Sequence, residues 1–250
     1  MKKFLFWLCL LPISSTAQQY TGMSGLIHTP SADMDAEGTA RIGGHFLNKE
    51  FTPDETFRHN GEKFNTGSFY LSVTPFKWLE LGYTFTLRKR NQNYFGEVGG
   101  VGYYGKDRYL SAKVRLVKED GWWPSVAIGT NDPYTTSSQN YDKEENKNSP
   151  FCNFYLSATK HVNLGGHLIG IHLSGRYFRR EYNEKWNGVV GGLTYSPKFD
   201  NHRLRGIVEY TGADVNIGAD YLLFGHLLVQ ASLQQGRYFS GGLCYQVNLF

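Results

Sequence analysis

No hydrophobic run in this sequence is long enough to cross a membrane as a helix. The apolar stretch 4–13 spans roughly ten residues, whereas a spanning helix needs about 20. Cysteine is scarce: Cys9, Cys152 and Cys244 are too few for a disulfide scaffold, and Cys152 and Cys244 are read as ordinary small residues. Charge of one sign is also missing. Lys+Arg (26) nearly balances Asp+Glu (22), which argues against nucleic acid or a strongly acidic partner. No stretch holds helical periodicity for three turns, which excludes a helical bundle. No Gly-x-Ser-x-Gly, His-Glu-x-x-His, Walker or Cys-x-x-Cys sequence is present, so no motif calls for catalysis, a metal or a cofactor.

What is abundant points elsewhere. The chain carries 29 Gly, 17 Tyr and 17 Phe, a composition suited to tight turns, curved strands and aromatic belts. Its mean hydropathy of −0.42 is too polar for membrane helices. It suits a β-barrel, where only alternate residues face lipid and loops face water.

Twelve alternating runs can be marked, at 39–48, 67–74, 78–87, 108–117, 124–131, 153–161, 167–178, 188–196, 203–210, 214–223, 226–234 and 240–249. Leu79, Leu81, Tyr83, Phe85 and Leu87 alternate with Glu80, Gly82, Thr84 and Thr86; Leu110 to Leu116 and Val215 to Tyr221 repeat the pattern. The fold class expected is all-β, an antiparallel transmembrane β-barrel of about twelve strands, with ten or fourteen as the neighbouring counts.

The connections support this. Segments 49–66, 88–107 and 132–152 are long and polar and fall first, third and fifth, whereas 74–77, 163–166 and 197–200 are tight turns at even places. Long loops at one end and short turns at the other are the asymmetry of an outer-membrane barrel with both termini in the periplasm. Phe76, Trp78, Trp122, Trp123, Tyr195, Phe199 and Phe224 fall near the short-turn rim. Phe46, Tyr177, Tyr210, Tyr238 and Phe239 fall near the other. Such belts sit at headgroup depth; the competing reading is the aromatic core of a periplasmic β-sandwich.

The ends carry addresses. Lys2 and Lys3, the apolar stretch 4–13 and the small residues Ser15-Thr16-Ala17 read as a signal peptide over 1–17. Cys9 lies within it, without the small residue before it that a lipid-attachment cysteine requires. Ser240, Gly242, Tyr245, Val247 and Phe250 resemble the terminal strand read by the outer-membrane assembly machinery. The organisation expected is therefore a signal at 1–17, a non-strand segment at 18–38 and a barrel at 39–250 in the bacterial outer membrane.

The segment before the first strand contains Gly25-Leu26-Ile27, then Pro30-Ser31-Ala32-Asp33-Met34, then Gly38-Thr39. This spacing resembles the opening of the YjbH-type family of outer-membrane proteins, many of them longer than this chain. The resemblance implies a part in exopolysaccharide production. Read physically, glycine and proline prevent regular structure here, while Leu26, Ile27 and Met34 need a dry environment. The segment would tuck into the barrel as a plug, lie across the periplasmic rim, or pair with a neighbouring subunit.

If the strand registers hold, Arg41, His45, Glu80, Lys113, Arg115, His172, Arg176, Arg205, Glu209 and Asp220 face the lumen. Two readings follow. The charges cross-pair and fill a narrow interior, since buried charges must be matched, or the basic excess lines a passage for sugar chains, with arginine gripping carboxylates.

A barrel enzyme is a third reading, like the outer-membrane phospholipase with its serine–histidine pair. His161, His167 and His172 lie near Ser157 and Ser174 in sequence, but no spacing selects a pair. The function expected is non-catalytic assistance of exopolysaccharide secretion or surface assembly. The alternatives are a small-solute porin or structural barrel and, third, a lipid-modifying enzyme. Expected partners are outer-membrane lipids, an anionic polysaccharide, and a lipoprotein or export-complex protein, with no nucleic acid, no cofactor and no metal, the barrel being a monomer.

Overall fold

The computed structural model describes residues 18–94, 97–135 and 149–250. The expected signal peptide, with Cys9, lies outside the described residues. Twelve antiparallel strands close into a barrel. They are β1 (Thr39–Leu47), β2 (Thr66–Phe76), β3 (Leu79–Tyr94), β4 (Glu97–Val117), β5 (Ser125–Thr135) and β6 (Asn153–Leu164). The second half holds β7 (His167–Phe178), β8 (Gly188–Ser196), β9 (Leu204–Tyr210), β10 (Val215–Leu223), β11 (Leu227–Gln234) and β12 (Tyr238–Asn248).

Each strand pairs with its sequence neighbour, and β1 closes the ring by pairing with both β2 and β12. Arg41 stands opposite Ser72 on one side and Gln246 on the other. Closure leaves no unpaired sheet edge, the condition for a strand protein in hydrocarbon. Among the described residues no helix is long and apolar enough to cross a membrane. The twelve runs read from alternation correspond one to one to these strands.

The wall is polar inside and apolar outside. In β1, Arg41 and His45 are buried while Ile42 is 61% exposed. In β3, Glu80 and Thr84 are buried while Leu81 and Tyr83 are exposed. Leu156, Leu173, Leu193, Val208 and Leu243 continue the apolar exterior around the ring. The expected belt residues Trp78, Trp122, Trp123, Phe199 and Phe224 are exposed at the short-turn end. There the β6–β7 turn is Gly165-Gly166, with φ of 62° and 92°, the positive values that a two-residue hairpin of type I′ requires.

One expected loop is not a loop. Residues 88–94 and 97–107 extend β3 and β4 as paired strands, from Arg88 opposite Gly105 to Tyr94 opposite Glu97, with two register shifts. β3 has 16 residues and β4 has 21, against nine in β1, so the pair projects beyond its neighbours. A projecting hairpin has no lipid face. Arg88-Lys89-Arg90 therefore breaks the apolar alternation while leaving backbone pairing intact. β5 likewise runs to Thr135, into the expected loop 132–152; residues 136–148 lie outside the described residues.

Candidate functional site: a lumen filled by the segment before the first strand

Residues 18–32 are buried inside the ring of strands. The segment folds as two small loops, closed by bridges from Gln18 to Ser24 and from Gly25 to Pro30. Gly22 has φ of +82°, and a Cβ there would lie 2.7 Å from Tyr70 on the wall, so both conformation and space demand glycine. Met23, Leu26 and Ala32 are fully buried and Ile27 nearly so.

The apolar side chains fit gaps that lumen-facing glycines leave. A Cβ on Gly82 would meet Met23 Sδ at 2.8 Å, one on Gly192 would meet Leu26 Cδ1 at 2.7 Å, and one on Gly218 would meet Ile27 Cδ1 at 2.9 Å. Ile207 joins Leu26 and Ile27 in a small apolar cluster. Burying each such side chain contributes about 1.5–3 kcal/mol.

An irregular segment inside a barrel exposes backbone groups that no ladder satisfies, and the lumen side chains supply their partners. Glu209 on β9 accepts from the amides of Ile27 (3.0 Å), His28 (2.9 Å) and Thr29 (3.0 Å). Glu80 on β3 accepts from the Ser24 amide at 2.7 Å, and Lys113 on β4 donates to the Ser24 and Asp33 carbonyls. Arg176 on β7 donates to the carbonyls of His28, Trp186 and Thr211, tying the segment to two outer connections. Arg115 donates to the Met34 carbonyl, Ser174 to the Pro30 carbonyl, and Thr159 accepts from the Ala32 amide.

The charges are matched within this packing. Lys113 and Glu80 form an ion pair at 3.1 Å with both side chains buried. Arg205 and Asp220 pair across β9 and β10 at 2.8 Å, and Arg41 pairs with Asp35 of the segment. His45 bonds Gln230 at 3.1 Å, and His172 sits between Thr159 and Thr194. Of the ten side chains expected to face the lumen, nine are buried and Arg115 is half-buried. Gly25, Leu26, Ile27, Pro30 and Met34 are all buried.

Aromatic side chains cover the filled lumen at the long-loop end. Tyr20, Leu47, Phe57, Phe64, Tyr109 and Phe151 form one cluster, and Phe51, Phe178 and Trp186 form a second. The His28 ring bridges them, 4.7 Å from Tyr20 and 4.6 Å from Phe51. Outside this cap, Arg58–His59 and Glu62–Lys63 pair as a short hairpin, and Asp54 bonds its Lys63 at 2.7 Å. Burial raises the Asp54 carboxyl, but its bonds and charge contacts with Lys63, Lys185 and Arg58 outweigh that and hold it below its ordinary value. The same burial lowers the Lys63 ammonium despite the bond, so the pair contributes less than its short distance suggests.

Of the histidines considered from sequence, His161 bonds Glu119 and His172 bonds Thr159 and Thr194. Ser157 and Ser174 bond each other at 2.7 Å inside the barrel, and His167 pairs with Tyr195 at the rim. Cys152 and Cys244 are buried free thiols.

Comparison with known proteins places this chain in a family. Residues 17–163, from the edge of the buried segment through β6, match YjbH, described as "Exopolysaccharide biosynthesis protein YbjH". The chain belongs to the YjbH family. A protein of Escherichia coli (strain K12) described as "Uncharacterized lipoprotein YjbH" is 25% identical over 281 aligned residues. That alignment covers 95% of this chain and 36% of the relative. In this member of the family, the Gly-Leu-Ile and Pro-Ser-Ala-Asp-Met motifs are the stretches that Glu209, Ser174, Thr159 and Lys113 hold against the wall. The partners of the segment were not legible in sequence, because an irregular backbone has no period from which to assign register.

Proposed function

We propose that this chain is an outer-membrane β-barrel that assists exopolysaccharide secretion or surface assembly as a scaffold, performing no covalent chemistry. The observation carrying this reading is the filled lumen: the segment 18–32 and the matched charges around it occupy the space a sugar chain would need. The basic residues suited to gripping a polysaccharide are engaged by the segment or by acidic neighbours. The polymer therefore passes elsewhere, and this barrel holds a protein partner or the polymer at its rims.

The apolar exterior and the two aromatic rims support a lipid setting. The relative's description as a lipoprotein supports a membrane context, and the family description supports the link to exopolysaccharide. The chain spans 36% of that relative's length; a lipoprotein or an export-complex subunit is the kind of partner this reading calls for.

The test is genetic. Deleting the gene in the producing bacterium should lower surface polysaccharide, and the wild-type gene should restore it. Surface polymer unchanged in amount and composition after deletion would contradict the proposal.

A further inference from the structure

The short-turn end of the filled lumen brings together three side chains from three elements: Asp33 of the buried segment, His161 on β6 and His172 on β7. Asp33 Oδ1 lies 3.6 Å from His161 Nε2, and Asp33 Oδ2 lies 3.7 Å from His172 Nδ1. One donor atom from each residue lies within 4.8 Å of the other two. Neither carboxylate–imidazole distance is a hydrogen bond; the groups face one another across a gap.

The other ring nitrogens are already engaged. His161 Nδ1 is 2.8 Å from Glu119 Oε2, and Glu119 Oε1 accepts from the His161 amide at 2.8 Å. His172 Nε2 is 3.1 Å from Thr194 Oγ1. With those nitrogens assigned as the N–H donors, His161 Nε2 and His172 Nδ1 turn their lone pairs toward the Asp33 carboxylate. Thr159 Oγ1, 3.1 Å from His172 Nδ1, is the competing partner for that lone pair.

We propose that Asp33, His161 and His172 bind a first-row divalent transition metal ion, with zinc as the reference case. A two-histidine, one-carboxylate set suits such ions. Glu119 plays the outer carboxylate that orients a ligating imidazole and raises its basicity. Ligands bonded at about 2.0–2.1 Å in tetrahedral geometry stand about 3.3–3.5 Å apart, so donor atoms now within 4.8 Å of one another would draw together on binding by rotation of Asp33 and the half-exposed His161. A water would complete the coordination. Bound there, the ion clips the segment to two strands of the wall and stabilises the filled state by mass action. The metal site stands independently of the polysaccharide reading.

The test uses the full chain, folded in detergent, stripped with chelator and titrated with Zn2+ by calorimetry. Co2+ serves as a spectroscopic probe of geometry. The result expected is one Zn2+ per chain, a higher temperature for the heat-modifiable gel shift, reversal by chelator, and at least tenfold weaker binding in Asp33→Asn and His161→Gln. Glu119→Gln, at the exposed turn, should weaken binding about 10–100-fold and is the deciding variant if either ligand variant fails to fold. No Zn2+ bound above the detergent blank, or binding unchanged in all three variants, would overturn the proposal and leave an ordinary histidine–aspartate contact.

Discussion

Glu209 shows at the scale of one residue how the lumen is filled. Its carboxylate accepts three successive amides from the segment and a side-chain amide from Asn216 at 2.8 Å. Removing it strands buried donors, each costing about 1–3 kcal/mol. Glu209→Ala is therefore expected to lower the temperature of the heat-modifiable gel shift strongly, and Glu209→Gln, which keeps one acceptor oxygen, to lower it less. Equal effects of the two would show that the amides find other partners. That these residues face inward was legible from period two, since Glu209 lies between Val208 and Tyr210 on an alternating run. What they hold was not legible, because the sequence read alone left the basic excess open to a passage for sugar.

At the residue scale too, low pH should loosen the edge of the cap where Asp54 meets Lys63. The Asp54 carboxyl is held below its ordinary value, so its contribution is present above the unfolded-state value, about 3.9. It is lost as the pH falls through the depressed folded value. Amide protection in the short hairpin Arg58–His59 and Glu62–Lys63, corrected for the intrinsic pH dependence of exchange, is expected to fall below that pH. Corrected protection unchanged from pH 5 down to about pH 2, below the ordinary carboxylate range, would show that Asp54 does not hold the hairpin.

At the scale of elements, the strands follow from alternation and the segment follows from the wall's glycines. The alternating runs located all twelve strands but stopped short where β3 and β4 leave the membrane-like wall, since a water-facing hairpin keeps its backbone pairing without an apolar stripe. The glycines on the inner face were visible only as part of a high total; that Gly82, Gly192 and Gly218 oppose Met23, Leu26 and Ile27 is a relation between distant elements. A Cβ on Gly192 would run into the Val208 carbonyl and lie 2.7 Å from Leu26 Cδ1. Gly192→Ala is thus expected to destabilise by about 1–3 kcal/mol through overpacking, read as a lower gel-shift temperature. A neutral effect would mean that the segment yields at little cost. The Asp33, His161 and His172 cluster escaped the sequence for the same reason: its members are 128 and 11 residues apart and share no spacing motif.

At the scale of the whole molecule, an inverted wall and an occupied interior work together. Apolar residues outside ask for lipid, polar residues inside ask for partners, and the segment before β1 supplies those partners in place of water. The barrel is then a closed body whose surfaces, rims and long loops remain for contact with a partner or polymer. The measurement that bears most directly on this is conductance of the intact, heat-modifiable protein in planar bilayers. A filled lumen predicts a folded barrel with no discrete channels. Stable, discrete channels from the intact chain, blocked by an anionic polysaccharide, would contradict it and return the lumen to the role of a conduit.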